Sequence, residues 1–192
     1  VTFMVGREDV RVREARFEAL VRVVAGPVQR YLVRRADADA VEDVLAETMV
    51  VLWRRIDDVP GLGDGTAVDP DEVLPWCYGV ARGCLANARR ADGRRLRLVE
   101  RLTRTAVELP AASIDHSELY DALRSLGELD REVVMLWAWE GLAPKGIAEV
   151  TGLTPNAVSI RLHRAKKRLA VLLGRKNETA AGQELGKEGS EL

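Results

Sequence analysis

Residues 152–172, GLTPNAVSIRLHRAKKRLAVL, constrain the fold of this chain more than any other stretch. Thr154 is a good helix N-cap, because its hydroxyl can satisfy an orphan N–H of the first turn, and Pro155 fits the next position, where no N–H is needed. A helix is therefore predicted from Pro155. Val158, Leu162, Ala165, Leu169 and Leu172 then recur at steps of four and three, which places them on one buried stripe. Asn156, Ser159, Ile160, His163 and Lys167 fall roughly opposite, with Arg164 beside them. Upstream, Ile147 and Ala148 precede Gly152 at the interval of a helix-turn-helix, with Thr151-Gly152-Leu153 as the turn.

Arg161, Arg164, Lys166, Lys167, Arg168, Arg175 and Lys176 add a cationic run, and no acid interrupts it between residues 155 and 177. Phosphate neutralisation requires cations clustered in this way. The candidate duplex-DNA contacts are Thr154, Asn156, Ser159, Ile160, Arg161, His163, Arg164 and Lys167. Ile160 could meet a thymine methyl, His163 and Arg164 could reach bases or phosphates, and the lysines suit steering and anchoring. The plainer alternative is a two-helix hairpin whose outer face is merely basic and solvated.

The net charge of -1 over 192 residues would argue against nucleic acid if it were evenly spread. It is segregated instead. Asp37, Asp39, Glu42, Asp43 and Glu47 form an acidic block, whereas arginines dominate from Arg82 to Arg104. The 47% hydrophobic content is ample for one domain or two small ones. No apolar run approaches the roughly 18 residues that would suggest a membrane span, so no membrane insertion and a cytoplasmic location are expected. Cys77 and Cys84 are two turns apart on one helical face, too far for a disulfide, and are expected to be buried, inert thiols. His116 and His163 lie far from them and no CxxC occurs, so neither a metal site nor a cofactor is expected. A nucleophilic cysteine with His116 as base would need orienting partners that the sequence does not supply, so no catalytic residue is assigned.

Strand signals are nearly absent, and the chain reads as all-α. Phe17, Leu20, Val21, Val24, Val28, Tyr31 and Leu32 predict a first helix, or a pair broken near Gly26-Pro27. A second helix is predicted over 39–56 and a long glycine-rich loop over 57–72. A third helix should start near residues 73–75 and turn Trp76, Cys77, Val80, Cys84, Leu85 and Ala88 inward. Holding an opened DNA strand calls for cations for phosphates and flat or amide side chains for bases, and Arg82, Asn87, Arg89 and Arg90 meet that need, with Trp76 a further candidate. In the C-terminal half Leu119, Leu123 and Leu126 mark one helix, and residues 131–140 another, capped by Asp130. The domain boundaries expected are 1–104, a linker at 105–117, 118–175, and a disordered tail at 176–192.

Taken in order, these segments resemble the extracytoplasmic-function group of bacterial RNA polymerase sigma factors, over about residues 14–173. Residues 40–48, AVEDVLAET, followed by Leu52-Trp53-Arg54, are similar to region 2.2 of that family. Residues 74–82, LPWCYGVAR, with 87–90, resemble regions 2.3 and 2.4. Leu126, residues 129–132 (LDRE) and residues 139–142 (WEGL) resemble the entry to region 4. The resemblance implies two small helical domains joined by a flexible linker, and a non-enzymatic factor that brings core RNA polymerase to promoters and helps melt them. It implies that Glu42, Asp43, Glu47, Thr48 and Leu52 dock on the β′ clamp helices, and that the C-terminal domain meets the β flap. Trp76, Arg82, Asn87, Arg89 and Arg90 would then face the -10 element, the 59–72 loop would capture a flipped base, and the helix-turn-helix would read the -35 element. An anti-sigma protein is a further partner expected by resemblance. The competing reading is a helix-turn-helix regulator acting without sigma activity, and a third is an adaptor that binds polymerase but no promoter.

Overall fold

The computed structural model describes residues 2–64, 67–102 and 117–184. Among them are seven α-helices, one 3-10 turn and no strand, divided between two compact units. The first unit contains α1 (Thr2–Val33), α2 (Val41–Arg54), the 3-10 turn Ile56–Asp58 and α3 (Pro70–Leu102). The second contains α4 (Ser117–Arg124), α5 (Glu128–Ala138), α7 (Pro155–Glu184) and the start of α6 (Pro144–Thr151), whose last three residues group with the first unit. The expected linker, apart from Ser117, lies outside the described residues.

α1 is a single helix that passes through Pro27 and is not the broken pair that the sequence allowed. A proline inside a helix costs about 3 kcal/mol through a lost hydrogen bond and a ring clash. Against this, the stripe Leu20, Val24, Val28, Tyr31 and Leu32 stays in register on both sides of Pro27, and each member is fully buried. Burying each large apolar side chain contributes about 1.5–3 kcal/mol, so the three beyond the proline outweigh its cost.

α2 completes the wall of this core with Val41, Val44, Thr48 and Leu52. The Thr48 hydroxyl, wholly buried, donates to the Val44 carbonyl at 2.7 Å, which satisfies it without leaving the helix. The C-terminal carbonyls of α2 find partners on α1, where Arg13 donates to the Trp53 and Arg54 carbonyls at 3.0 and 3.2 Å. Arg16 pairs with Asp57 at 2.7 Å, and Phe17 meets Trp53 edge-on with ring centroids 5.3 Å apart. A cation at a helix C-terminus is favoured by the dipole, and here Arg13 closes the end of α2 while Arg16 ties α1 to the 3-10 turn that follows.

α3 starts at Pro70, several residues before the predicted start, because Asp69 and Pro70 repeat the cap-proline grammar of Thr154 and Pro155. The Asp71 N–H donates to the Asp69 carboxylate at 2.9 Å. Pro75 is carried inside the helix and forfeits one backbone bond near its exposed first turn. The loop before it is pinned by buried Val59 and Leu62. Gly61 has φ +67°, and a Cβ there would lie 2.0 Å from the Glu72 carboxylate, so only glycine fits beneath that side chain.

Across the core from α2, α3 buries Val73, Cys77, Tyr78, Ala81, Cys84 and Leu85, and the Tyr78 ring lies 5.2 Å from that of Tyr31. In the second unit Leu123 and Leu126 sit beneath Val133, Val134 and Leu136 of α5 and Val158, Leu162 and Ala165 of α7, all buried. α7 also continues past Gly174 to Glu184, so the expected disordered tail is helical over its first residues. Arg, Lys, Glu, Ala and Gln are good helix formers, and no proline interrupts residues 175–184.

Both cysteines are free and buried. Burial pushes the Cys77 thiol from the ordinary 9.0 up to about 12. Burial raises Cys84 as well, opposed by a hydrogen bond with the Thr48 side chain and reinforced by the nearby Glu47 charge. A thiol held above its unfolded value stays protonated in the native state while the unfolded chain ionises. Its contribution to stability is therefore intact below about pH 9 and declines as pH rises toward 12. Iodoacetamide at pH 8 should leave both cysteines unmodified until urea is added, and Cys77→Ala should flatten the fall in Tm above pH 9; rapid native labelling would contradict the assigned burial. Leu52→Ala should cost about 3 kcal/mol in urea unfolding, as expected for a cavity in a filled core.

Candidate nucleic-acid interface

The motif is built from a turn and a cap. α6 ends at Thr151, Gly152 takes φ +74°, and the Thr154 Oγ1 accepts the Ala157 N–H at 3.2 Å. Only a glycine enters that left-handed region without strain, so the turn fixes the angle at which α7 leaves α6. Val158, Leu162 and Ala165 are buried, and on the far side Asn156, Ser159, His163, Arg164 and Lys167 are exposed. Thr154 is exposed too, but its hydroxyl is engaged in the cap. Ser159 donates to the Pro155 carbonyl at 3.0 Å, which leaves its oxygen available as an acceptor. Ile160 is 45% exposed in the middle of this polar and cationic face. An apolar side chain displayed among cations suits a major groove, whose floor presents thymine methyls between two rims of phosphates.

Arg161 departs from the rest of the predicted set. It is half-buried, and its guanidinium donates to the Asp130 carboxylate at 2.6 Å. Asp130 was expected to cap a helix starting at Arg131, but α5 starts at Glu128 with Gly127 as its N-cap and no side-chain cap bond. The Gly127 carbonyl accepts the Arg131 N–H at 2.9 Å, so the helix begins three residues early and Asp130 lies within its first turn. From there it faces α7. Asp130, Ala157, Ile160, Arg161 and Arg164 line an open cleft of about 330 Å³. On the other flank the Lys166 ammonium sits 4.1 Å from the ring centroid of Trp137, a cation–π contact back to α5.

In the first unit α3 carries the other predicted DNA set. Asn87, Arg89 and Arg90 are exposed and Arg82 is half-buried. Trp76 is also half-buried and lies off the stripe of Val73, Cys77, Ala81 and Cys84, so the inward placement predicted for it does not hold. At 100° per residue Trp76, Asn87 and Arg90 share one flank of α3, while Arg82 and Arg89 lie on the other. Arg90 donates to the Asn87 side-chain oxygen, which orients the amide. Arg89 donates to the Arg35 carbonyl just beyond α1. The Arg55 guanidinium stacks over Trp76 at 5.1 Å and pairs with Asp58 at 2.9 Å.

On α2 the predicted polymerase set splits in two. Glu42, Asp43 and Glu47 are exposed on one face, together with Ala46, Val50 and Arg54. Thr48 and Leu52 are wholly buried and support that face from inside, so they present nothing to a partner. The correction follows from the helix period, because Val41, Val44, Thr48 and Leu52 form the stripe turned to α1 and α3, and the apolar residue left outside is Val50, 47% exposed. Asp130 and Arg55 escaped sequence reasoning because each acts on a residue more than twenty positions away, with no local pattern to reveal it.

Among the described residues no helix is long and apolar enough to cross a membrane, and no group of three or more His, Cys, Asp or Glu could hold a metal ion. The family model for Sigma-70, region 4 matches residues 116–169. The chain is 32% identical over 167 residues to the RNA polymerase sigma factor CarQ of Myxococcus xanthus, an alignment covering 82% of this chain and 89% of that one. Among solved structures it is similar to the sigma factor RpoE of Bartonella quintana, crystallised with the anti-sigma factor NepR, with a TM-score of 0.52, 20% identity and coverage of 88% and 96%. It is likewise similar to the PhyRSL-NepR complex of Sphingomonas sp. Fr1, with a TM-score of 0.54, 19% identity and coverage of 78% and 86%. These two likenesses concern the fold, whereas the motif match and the identity to CarQ carry the assignment: the chain belongs to the extracytoplasmic-function group of sigma-70-type RNA polymerase sigma factors.

Proposed function

We propose that the two units divide promoter recognition between them, within boundaries of about 1–104 and 118–175. The second unit lays α7 in the major groove of the -35 element, with Asn156, Ser159, Ile160, His163, Arg164 and Lys167 toward DNA. The first unit holds the unpaired -10 strand with Trp76, Asn87 and Arg90 on one flank of α3 and Arg82 on the other, while Arg89 ties α3 to the end of α1. The observation that carries this reading is the outer face of α7, where a 45% exposed isoleucine stands among cations opposite a buried stripe, at the outlet of a glycine turn. Core polymerase docks on α2 through Glu42, Asp43, Glu47 and Val50, since acidic and apolar groups on one face suit a basic helical partner. The C-terminal unit meets the β flap, and an anti-sigma protein is a further partner by the family's example. The factor catalyses no reaction itself. It works by differential affinity, trapping unpaired bases while gripping duplex DNA, so that both contacts are made at once.

Run-off transcription with added core polymerase over a promoter library tests the whole reading. Promoter-specific transcripts should appear only with this chain, whereas specific duplex binding without polymerase, and no transcript, would instead support a regulator lacking sigma activity. Replacing His163 and Arg164 by Ala should reduce -35-dependent initiation about 10- to 100-fold, as loss of base contacts worth about 1–3 kcal/mol implies. The same pair of changes would leave a promoter-blind adaptor unaffected. Reversing charge in Glu42→Lys/Glu47→Lys should weaken core binding about tenfold without moving the urea midpoint, because both side chains are solvent-facing.

A further inference from the structure

We infer that Arg161 is not a DNA contact but a positioning residue, and that Asp130, by holding it, determines which cation of α7 enters the groove. The inference rests on the -35 reading of α7 and adds a division of labour within its basic face. Arg161 and Arg164 are one helical turn apart, and both line the cleft that runs beside Ile160. They differ in what they touch. Arg161 spends its guanidinium on the Asp130 carboxylate at 2.6 Å, in a bond that joins two helices across 31 positions of sequence, whereas Arg164 is exposed. A guanidinium already paired with a carboxylate has lost most of its attraction for phosphate, since the pair is nearly neutral from outside. The buried stripe sets the gross rotation of α7, and this bond restrains the small rotations about its axis that the stripe still allows, because it grips α7 from its flank. With α7 so turned, Ile160 and Arg164 point outward together.

A helix read by three or four side chains loses discrimination when its register shifts, while loose phosphate contacts survive the shift. Asp130 is thus a specificity-determining residue that touches no DNA. Freeing Arg161 would add a phosphate contact and loosen the register, so affinity for any DNA would become more dependent on salt while sequence preference fell. A merely structural ion pair would behave differently, lowering specific and non-specific binding together.

The test uses the full chain with core polymerase, on a promoter duplex selected by the wild-type chain and on the same duplex with its -35 element scrambled. Affinities are measured over a series of salt concentrations. Asp130→Asn, nearly the same size, should lower the intact-to-scrambled ratio about tenfold and steepen the plot of log K against log salt by about 0.9, the increment for one new phosphate contact. Arg161→Ala should lower the ratio to a similar extent with the slope unchanged, and the double variant should be no worse than either single one. If Arg161→Ala makes the slope shallower by about 0.9, Arg161 is a phosphate contact and the inference is overturned. Additive losses in the double variant would overturn it too. A wild-type ratio of one would instead overturn the -35 reading beneath it. Thermal unfolding by circular dichroism accompanies each variant; an Asp130→Asn protein that melts early and loses both affinities in parallel would assign the pair to stability alone.

Discussion

The functional faces of this protein depend on one constraint: each helix that displays them is held by a single apolar stripe, and the stripe decides which residues are left outside. Val158, Leu162 and Ala165 bury one side of α7, and Val73, Cys77, Ala81 and Cys84 do the same for α3. With about 1.5–3 kcal/mol gained for each large side chain that is buried, a rotation exposing the stripe is too costly for any surface contact to impose. The outward residues are therefore presented before DNA or polymerase arrives. The same constraint keeps α1 continuous through Pro27 and takes Thr48 and Leu52 out of the partner surface.

Within those faces the arginines fall into two groups. Arg13, Arg16, Arg89 and Arg161 bond carbonyls or carboxylates of this chain, at helix ends or between helices. Arg164 and Arg82 stand on faces turned outward or part-way outward. Exposed or half-exposed ion pairs contribute at most about 1 kcal/mol, so the first group matters less for stability than for direction. Within the orientation that the stripe sets, an arginine that closes the end of α2, or grips α7 from the side, trims the angle at which the neighbouring residues are offered. Net charge says nothing about this, since the sum of -1 conceals a basic face on α7 and an acidic one on α2.

The helix-turn-helix was legible from residues 152–169 alone because a cap, a proline, a glycine turn and a stripe are all local signals, and local signals survive translation into structure. Asp69-Pro70 carries the same cap-proline signal, but the glycines before it mask it, and periodicity alone places the start of α3 several residues too late. The helical spacing of Trp76 to Val80 points the ring inward, yet the stripe passes it by, and Arg55 covers it from the turn after α2. Asp130 looked like a helix cap because aspartate before Arg131 and Glu132 has that local form. Its partner is 31 residues away, and only packing brings the two together.

The sequence by itself determined the all-α class, the helix-turn-helix and its cationic outer face, the acidic patch of α2 and the family resemblance, because periodicity, caps and charge runs are properties of neighbours along the chain. Tertiary structure alone decided which members of each face are free: that Val50 and not Leu52 is outside on α2, that Arg89 bonds the Arg35 carbonyl just past α1, and that Arg161 answers to Asp130. A helical wheel gives an azimuth but not the helix that lies against it, and it is the packed neighbour, through burial or a carboxylate at 2.6 Å, that withdraws a side chain from the surface.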